Sequence, residues 1–515
     1  MPGKASKTGR HQEVERKFDV GESTVTPSFE GIAAVARVEK SPTQTLDAVY
    51  FDTPGQDLAR HRITLRRRTG GADAGWHLKL PSGPDSRTEI HAPITDGADE
   101  NAVPPELLDV VLAIVRDRPV RPVARISTQR ETQTLYGADG AALAEFCNDH
   151  VTAWSGGSPS EVEGESSEQQ WHEWELELSE QAASTNGAAA HDLLNRLSNR
   201  LLDAGAAPAG HGSKLARVLE SSAPIPQRTP PSDPVHRAVA QHVEELLVWD
   251  RAVRDDVEDS VHQMRVTTRK IRSLLRESQD SFGLADGAWV LDELRELAAV
   301  LGVARDAEVL AERYQRQLDQ LDPSLVRGPV RERLVEGAKR RYQAGLRRSL
   351  LAMRSKRYFR LLAALEELVT ERPIATFGQD AEPINIEGAY RRVRKAAKAA
   401  AAAAGGDGAG EHPPNEALHR IRKRAKQLRY TAVAVGVDGV AQQAKEIQTL
   451  LGDHQDSVVS QEHLLQQTDA AYAAGEDTFT YGLLYQRESD LAERCRAQLD
   501  GALRALDKAV RKARH

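Results

Sequence analysis

The sequence predicts an α+β multidomain protein: an antiparallel β-barrel with flanking helices, followed by an all-α duplicated helical bundle. Three observations predict it. Segments of strand length and period two dominate the first part of the chain. Charge in those segments collects on one face. After SSAPIPQRTPPSDP, residues 221–234, the strand signal stops and apolar residues recur at three- and four-residue spacing.

Composition sets the frame. A chain of 515 residues is too long for one core, and 28 % of it is charged against 5 % aromatic. Residues 1–230 carry 24 Lys+Arg against 33 Asp+Glu, and residues 231–515 carry 45 against 43, so the helical part is near neutral but densely charged. Cys147 and Cys495 cannot form a disulfide framework, which points to a reducing compartment. No apolar run approaches the roughly 18 residues of a membrane span, and MPGKASKTGR has no hydrophobic stretch behind it. The expectation is a cytoplasmic protein without a membrane partner.

In the first part, HQEVERKFDV, TLDAVYFDT, HRITLRRRT, WHLKLP, SRTEIHAPI, ARISTQRETQTLY, ALAEFCNDHVTAW and HEWELELS read as strands. HDLLNRLSNRLLDAG reads as a helix, FEGIAAVARV as a second one, and residues 155–170 as a long acidic hairpin loop. Alternate strand residues share a face. Glu13, Glu15 and Lys17 therefore point one way, with Val14 and Phe18 on the other side. Arg62, Thr64, Arg66 and Arg68 are opposed by Ile63 and Leu65, and Glu173, Glu175 and Glu177 by Trp174, Leu176 and Leu178. His77 with Lys79, Arg87 with Glu89 and His91, and Glu145 with Cys147 and Asp149 follow the same rule.

One such strand is an ordinary solvated sheet face. A whole set, alternating basic and acidic strands with little Ser, Thr or Gln between, is better explained by a closed barrel presenting these residues to its lumen. Arginines and lysines there can neutralise a phosphate chain, and clustered carboxylates can hold hard divalent cations.

The ordered set Glu13-x-Glu15-x-Lys17, YFDTPGQDLARHRITLRRR, LKLP, R-x-E and ELEL resembles the CYTH family, the adenylyl cyclase–thiamine triphosphatase proteins or triphosphate tunnel metalloenzymes. The resemblance implies an eight-stranded antiparallel tunnel that binds triphosphate with Mg²⁺ or Mn²⁺ and cleaves phosphoanhydrides. By position it implies metal ligands at Glu13, Glu15, Glu145, Asp149, Glu175 and Glu177, with Glu173 sharing their parity. It implies phosphate contacts at Lys17, Arg66, Arg68, Lys79, Arg87, Arg130 and Lys214, with Arg62 and Arg125 as further candidates. Ser213 and Lys214 match a terminal Ser-Lys, and Glu89, Glu175 and Glu177 stand as catalytic or positioning carboxylates. Arg62 occupies a place where the family often has glycine, and would add charge near the tunnel mouth.

The second part repeats itself. HQMRVTTRKIR from His262 precedes LGVARDAEV, and HRIRKRAKQLRY from His419 precedes LGDHQDSVV. His262, Arg265, Arg269 and Arg272 form one helical stripe, as do His419, Arg422, Lys426 and Arg429, with Lys270 and Lys423 beside them. Like charges repel along a stripe, and two copies point to a polyanionic partner. These residues resemble the CHAD family, the conserved histidine α-helical domain, whose H-x-x-R-V-x-x-R-K motif HQMRVTTRK matches. That resemblance implies binding of inorganic polyphosphate. Few aromatics stand among the basic residues to stack on bases, which disfavours nucleic acid.

The expected organisation is a tunnel domain over 1–220, a linker over 221–234 and a helical domain over 235–515, with repeats near 235–395 and 412–515. The expected activity is divalent-metal-dependent hydrolysis of inorganic triphosphate in the tunnel, with polyphosphate held by the helical domain. An organic triphosphate as substrate (thiamine triphosphatase or adenylate cyclase-like chemistry), or a non-catalytic polyphosphate-binding protein, are the rival readings. Association with polyphosphate granules and a homodimer complete the expectations.

Overall fold

The computed structural model describes residues 9–95, 97, 99–156, 168–184, 187–222, 231, 233–284, 288–370, 386–404, 415–434 and 436–513. Most of the 155–170 loop, of the 221–234 linker and of the Gly/Pro segment before Asn415 lies outside them. Among the described residues ten strands lie in the first part: β1 (Gly9–Val20), β2 (Arg37–Lys40), β3 (Gln44–Asp52), β4 (Thr64–Thr69), β5 (Gly75–Pro81), β6 (Ser86–Ala92), β7 (Arg121–Tyr136), β8 (Ala142–Ser155), β9 (Glu168–Leu178) and β10 (Ala207–Pro208).

Eight of them close into an antiparallel barrel in the order β1-β6-β5-β4-β3-β7-β8-β9, with β9 returning to β1. β1 performs the closure. Residues Gly9 to Val14 pair with β6, and Glu15 to Val20 pair with β9. β2 and β10 are short additions on β7 and β1.

A helix covers the apolar outward residues of β1, β8 and β9. Phe18, Phe146, Trp174, Leu176 and Leu178 are buried with Leu194, Leu197 and Leu201 of helix Gly187–Asp203. FEGIAAVARV forms no helix. Phe29, 1 % exposed, inserts beside Phe146 with ring centroids 5.2 Å apart, and the chain turns at Gly31 in a left-handed conformation (φ 84°) before β2 begins at Arg37. Anchoring and turning occupy the residues that a helix would need.

From Pro234 onward the described residues are helical, as Pro234–Arg254, Ser260–Glu277, Trp289–Asp319, Gly337–Met353, Lys356–Thr370, Ile386–Ala404, Asn415–Ala434, Asp438–Ala473 and Phe479–Lys512, with short helical turns between. The Asp233 carboxylate caps the first of these by accepting from the Val235 and His236 amides. Among the described residues no helix is long and apolar enough to cross a membrane.

The chain divides into two compact units. One holds Met1–Glu277, Gly287–Leu294 and Leu350–Arg372, so the barrel shares a unit with the first helices after the linker. Within it, Arg254 reaches Asp109 at 3.2 Å, Arg354 reaches Asp109 at 2.9 Å, and Arg10 pairs with Asp255 at 2.9 Å. The other unit holds Ser278–Asp286, Arg295–Ser349 and Pro373–His515.

Candidate active site

Strand parity delivers the charged residues to the barrel lumen, which encloses a cavity of about 680 Å³. β1 lines it with His11, Glu13, Glu15 and Lys17. β4 adds Arg66 and Arg68, β5 adds His77 and Lys79, and β6 adds Arg87, Glu89 and His91. Arg130 comes from β7, Glu145 from β8, and Glu175 and Glu177 from β9. Lys214 enters from the start of helix Lys214–Ser222, which Ser213 caps by accepting from the Ala216 amide at 3.1 Å.

Cross-strand register explains much of the charge balance. Glu13 faces Arg87, Lys79 faces Glu89, Lys17 faces Glu175, and Arg130 faces Asp149. Lys17 Nζ donates to Glu15 at 3.0 Å and to Glu175. Lys79 Nζ lies 2.6 Å from Glu13. Burial alone would raise the Glu15 carboxyl, but Lys17 and Lys79 outweigh it and hold Glu15 at about 2. Glu15 is nonetheless paired in register with Glu177, a like-charge pair that an ordinary sheet avoids. Burial, joined by Glu13, Glu15 and Glu175 and opposed by Lys79, pushes Glu177 up to about 8. Lysines already answer Glu13 and Glu15, and the carboxylate left over holds a proton near neutral pH.

The lumen also carries surplus donors. The Nε atoms of Arg66 and Arg68 are buried without a hydrogen-bond partner. Burial and the neighbouring Arg66 and Arg130 lower Arg68 to about 10. An anion with several oxygens would satisfy both guanidinium groups.

The structure redistributes the expected ligand set. Asp149 and Glu173 do not line the cavity: Lys214 covers them, with Nζ at 2.8 Å from Asp149 and 2.7 Å from Glu173, and Arg130 grips Asp149 through Nε at 2.8 Å. Glu145 lines the cavity as an exposed side chain. Arg62 and Arg125, expected as phosphate contacts, are corrections. Arg62 sits before β4 with φ 57°, the left-handed conformation that suits glycine, and is exposed outside the lumen. Arg125 differs in parity from Arg130 and so leaves the barrel, lying over Trp154 at 5.9 Å.

Two histidines hold lumen carboxylates in a way that strand parity alone does not disclose. His77, 1 % exposed, places Nδ1 2.9 Å from Glu89 and Nε2 2.9 Å from the Asp73 carbonyl, which fixes the Glu89 carboxylate. His11, two residues before Glu13, has Nε2 3.2 Å from Glu89. Among the described residues, two groups have ligand atoms within 4.8 Å of one another and could hold a metal ion: His11, Glu13 and Glu89, and Asp149, Glu173 and Glu175. Asp149 and Glu173 are covered by Lys214 and do not line the cavity, whereas Glu13 and Glu89, although Lys79 pairs with both, face it together with Glu177, so these three carboxylates fit a cation better.

In the helical region each basic motif lies on a helix whose opposite face is core. Helix Ser260–Glu277 buries Met264, Ile271 and Leu275, while Arg269 and Lys270 are exposed and His262, Arg265 and Arg272 half-buried. Helix Asn415–Ala434 buries Leu418, Ile421, Ala425 and Leu428, with His419 and Lys423 exposed and Arg422, Lys426 and Arg429 half-buried. Gly452 of the LGDHQD motif has a role that the sequence did not disclose. A Cβ there would lie 3.2 Å from Arg422 Nη2, so the missing side chain lets the guanidinium approach that helix. Burial raises the Asp456 carboxyl, with Arg422 and Arg313 pulling against it.

The fold and its lumen define a closed β-tunnel lined with opposed charges and followed by a densely charged helical region, and comparison agrees. The family model described as CYTH domain matches residues 11–202, and that described as CHAD domain matches residues 237–465. The chain belongs to the proteins that carry a CYTH domain followed by a CHAD domain. It is 71 % identical over 520 residues, covering 100 % of both chains, to Uncharacterized protein Rv2226 of Mycobacterium tuberculosis (strain ATCC 25618 / H37Rv), and equally to Uncharacterized protein MT2285 of strain CDC 1551 / Oshkosh. Among solved structures it is similar to PptA from Streptomyces chartreusis (18 % identity, 54 % of this chain, 100 % of that chain, TM-score 0.42). It is also similar to the CHAD domain of the plant Ricinus communis (21 % identity, 53 % and 90 %, TM-score 0.39). The CYTH tunnel points to triphosphate-related activity, and tunnels of this family generally use divalent metals.

Proposed function

We propose that the tunnel hydrolyses inorganic triphosphate with the help of a divalent cation, Mg²⁺ or Mn²⁺, and that the helical region binds polyphosphate. The observation that carries this reading is one closed lumen holding both unsatisfied guanidinium donors and cavity-facing carboxylates. Lys17, Arg66, Arg68, Lys79 and Arg130 would grip phosphate oxygens. Glu13, Glu89 and Glu177 would hold the cation, with His11 able to join them. A divalent ion bound there supplies charge against the phosphate oxygens and acidifies a bound water. Tyr50 is the only Phe, Trp or Tyr side chain among the described lining residues, which gives a purine or thiazolium ring little to stack on and favours an inorganic chain over an organic triphosphate.

The test is phosphate release from triphosphate, ATP and thiamine triphosphate under Mg²⁺ and Mn²⁺ with the wild type, Glu13→Ala and Glu89→Ala. The expected result is fastest release from triphosphate and loss of metal-dependent release in both variants. Wild-type rates in either variant would remove the metal assignment. Tight triphosphate binding with no release under any divalent ion would make the tunnel a binding module.

A further inference from the structure

The carboxylates of the lumen are not accompanied by oxygen donors alone. His11 stands directly opposite Glu89 in the β1–β6 register and shares the lumen parity of Glu13. Its Nε2 lies 3.2 Å from Glu89 Oε2 and 3.6 Å from Glu13 Oε1. The three side chains converge, with their ligand atoms all within 4.8 Å of one another. An ion bonded at about 2.0–2.1 Å to a tetrahedral set keeps its donors about 3.3–3.4 Å apart. The separations from His11 bracket that value.

The remaining carboxylate oxygens are fixed from behind. Glu13 Oε2 lies 2.6 Å from Lys79 Nζ, and Glu89 Oε1 lies 2.9 Å from His77 Nδ1 and 3.8 Å from Lys79 Nζ. Each carboxylate therefore has one oxygen held by a further residue and the other beside His11, the arrangement by which outer partners orient metal ligands. Glu13 and Glu89 are buried, whereas the His11 side chain is 39 % exposed, so an ion can arrive from solvent past the imidazole. Three protein ligands leave coordination positions open for water or a phosphate oxygen. A second imidazole stands in the same cavity: His91 Nε2 is buried without a hydrogen-bond partner.

Resting on the cation site of the proposed function, we infer that His11, Glu13 and Glu89 form a mixed nitrogen–oxygen site that selects a first-row transition ion, Co²⁺ or Zn²⁺ with Mn²⁺ behind them, over Mg²⁺. Mg²⁺ takes oxygen ligands in strict octahedral geometry and gives up its water reluctantly. An imidazole nitrogen suits borderline ions, and affinity at such sites rises from Mn²⁺ toward the later metals of the row. The carboxylates alone would hold any divalent ion by charge. His11 is the residue that decides which ion stays when several compete, and that choice does not depend on hydrolysis.

The experiment uses untagged full-length protein, stripped with chelator and loaded with one equivalent of Mg²⁺, Mn²⁺, Co²⁺ or Zn²⁺ in the absence of phosphate. Electron spin-echo modulation of bound Mn²⁺ reads directly bonded nitrogen, and calorimetry reads affinity. The wild type should show nitrogen modulation and bind Zn²⁺ at least about 100-fold more tightly than Mg²⁺. His11→Ala should lose the modulation and about 10- to 100-fold in Zn²⁺ affinity, with Mg²⁺ affinity held within about 3-fold. His11→Asp keeps an oxygen donor in place, so it should retain Mg²⁺ and still lack the nitrogen signal. Oxygen-only coordination in the wild type would overturn the site, as would a nitrogen signal or an unchanged Zn²⁺ to Mg²⁺ ratio in His11→Ala. If triphosphate is hydrolysed with none of the four ions, the triphosphatase reading fails, while the ion ranking still decides the site.

Discussion

Replacing Glu177 by glutamine removes the ionisation that the lumen resists most. Burial and the surrounding carboxylates, against the pull of Lys79, raise this carboxyl from an ordinary 4.5 to about 8. The folded state then binds the proton more tightly than the unfolded chain, so stability falls as pH rises through the window from 4.5 to about 8. At about 1.4 kcal/mol per unit, roughly 2 kcal/mol is lost by pH 6 and roughly 5 by pH 9. The Glu177→Gln protein keeps the shape and loses the titration. Relative to wild type it should gain about 3 kcal/mol between pH 6 and pH 9. Denaturant unfolding in chelator at both pH values measures this. Tryptophan fluorescence is a suitable signal because Trp76, Trp154, Trp171 and Trp174 lie in barrel strands. A stability difference that is the same at both pH values would refute the charge-surplus account of the lumen.

Three further outcomes follow from the same physics. Divalent cation binding should strengthen as pH rises from about 6.5 to 8.5, with proton release, because Glu177 must ionise to join the ion, and Glu177→Gln should flatten that dependence. Replacing Arg265 and Arg422 together by Ala should weaken binding of long-chain polyphosphate and reduce the slope of log affinity against log salt by roughly 1.4, about 0.7 per lost phosphate contact. Unchanged affinity would refute the basic-stripe assignment. Asp250→Ala should destabilise the protein by about 3–5 kcal/mol, since Asp250 is fully buried, pairs with Arg254 at 2.6 Å and accepts from the Tyr358 hydroxyl at 2.8 Å.

The lumen was legible because a strand has a period of two. Glu13, Lys17, Arg66, Lys79, Glu89, Glu175 and Glu177 could be placed on one face without knowing how the strands pair. The same arithmetic separates Arg125 from Arg130 and puts Arg125 outside the lumen. Arg62 could not be placed by parity, because a left-handed residue breaks the alternation just before the strand. The fate of Asp149 and Glu173 was hidden for a different reason. Their neutralisation comes from Lys214, more than 35 residues away along the chain from either, and helical periodicity in HGSKLARVL shows an apolar stripe without showing what it meets. FEGIAAVARV has the composition of a helix and lost to the burial of Phe29. Helix Pro105–Val110, which supplies Asp109, falls in a stretch without the period-two signal that guided the rest.

Asp109 bears on how this protein could be taken apart. It belongs to the span matched by the CYTH model, yet the guanidinium groups it binds, Arg254 and Arg354, belong to the span matched by the CHAD model. Arg254 in turn donates to the Met353 carbonyl at 3.1 Å. The linker at 221–234 is therefore a boundary in family descent but not a line of cleavage. A tunnel excised there keeps Asp109 and loses both of its cations. Shuffling such a tunnel onto a different partner requires a replacement for that clasp, which makes the pairing of these two domains a heritable unit of structure.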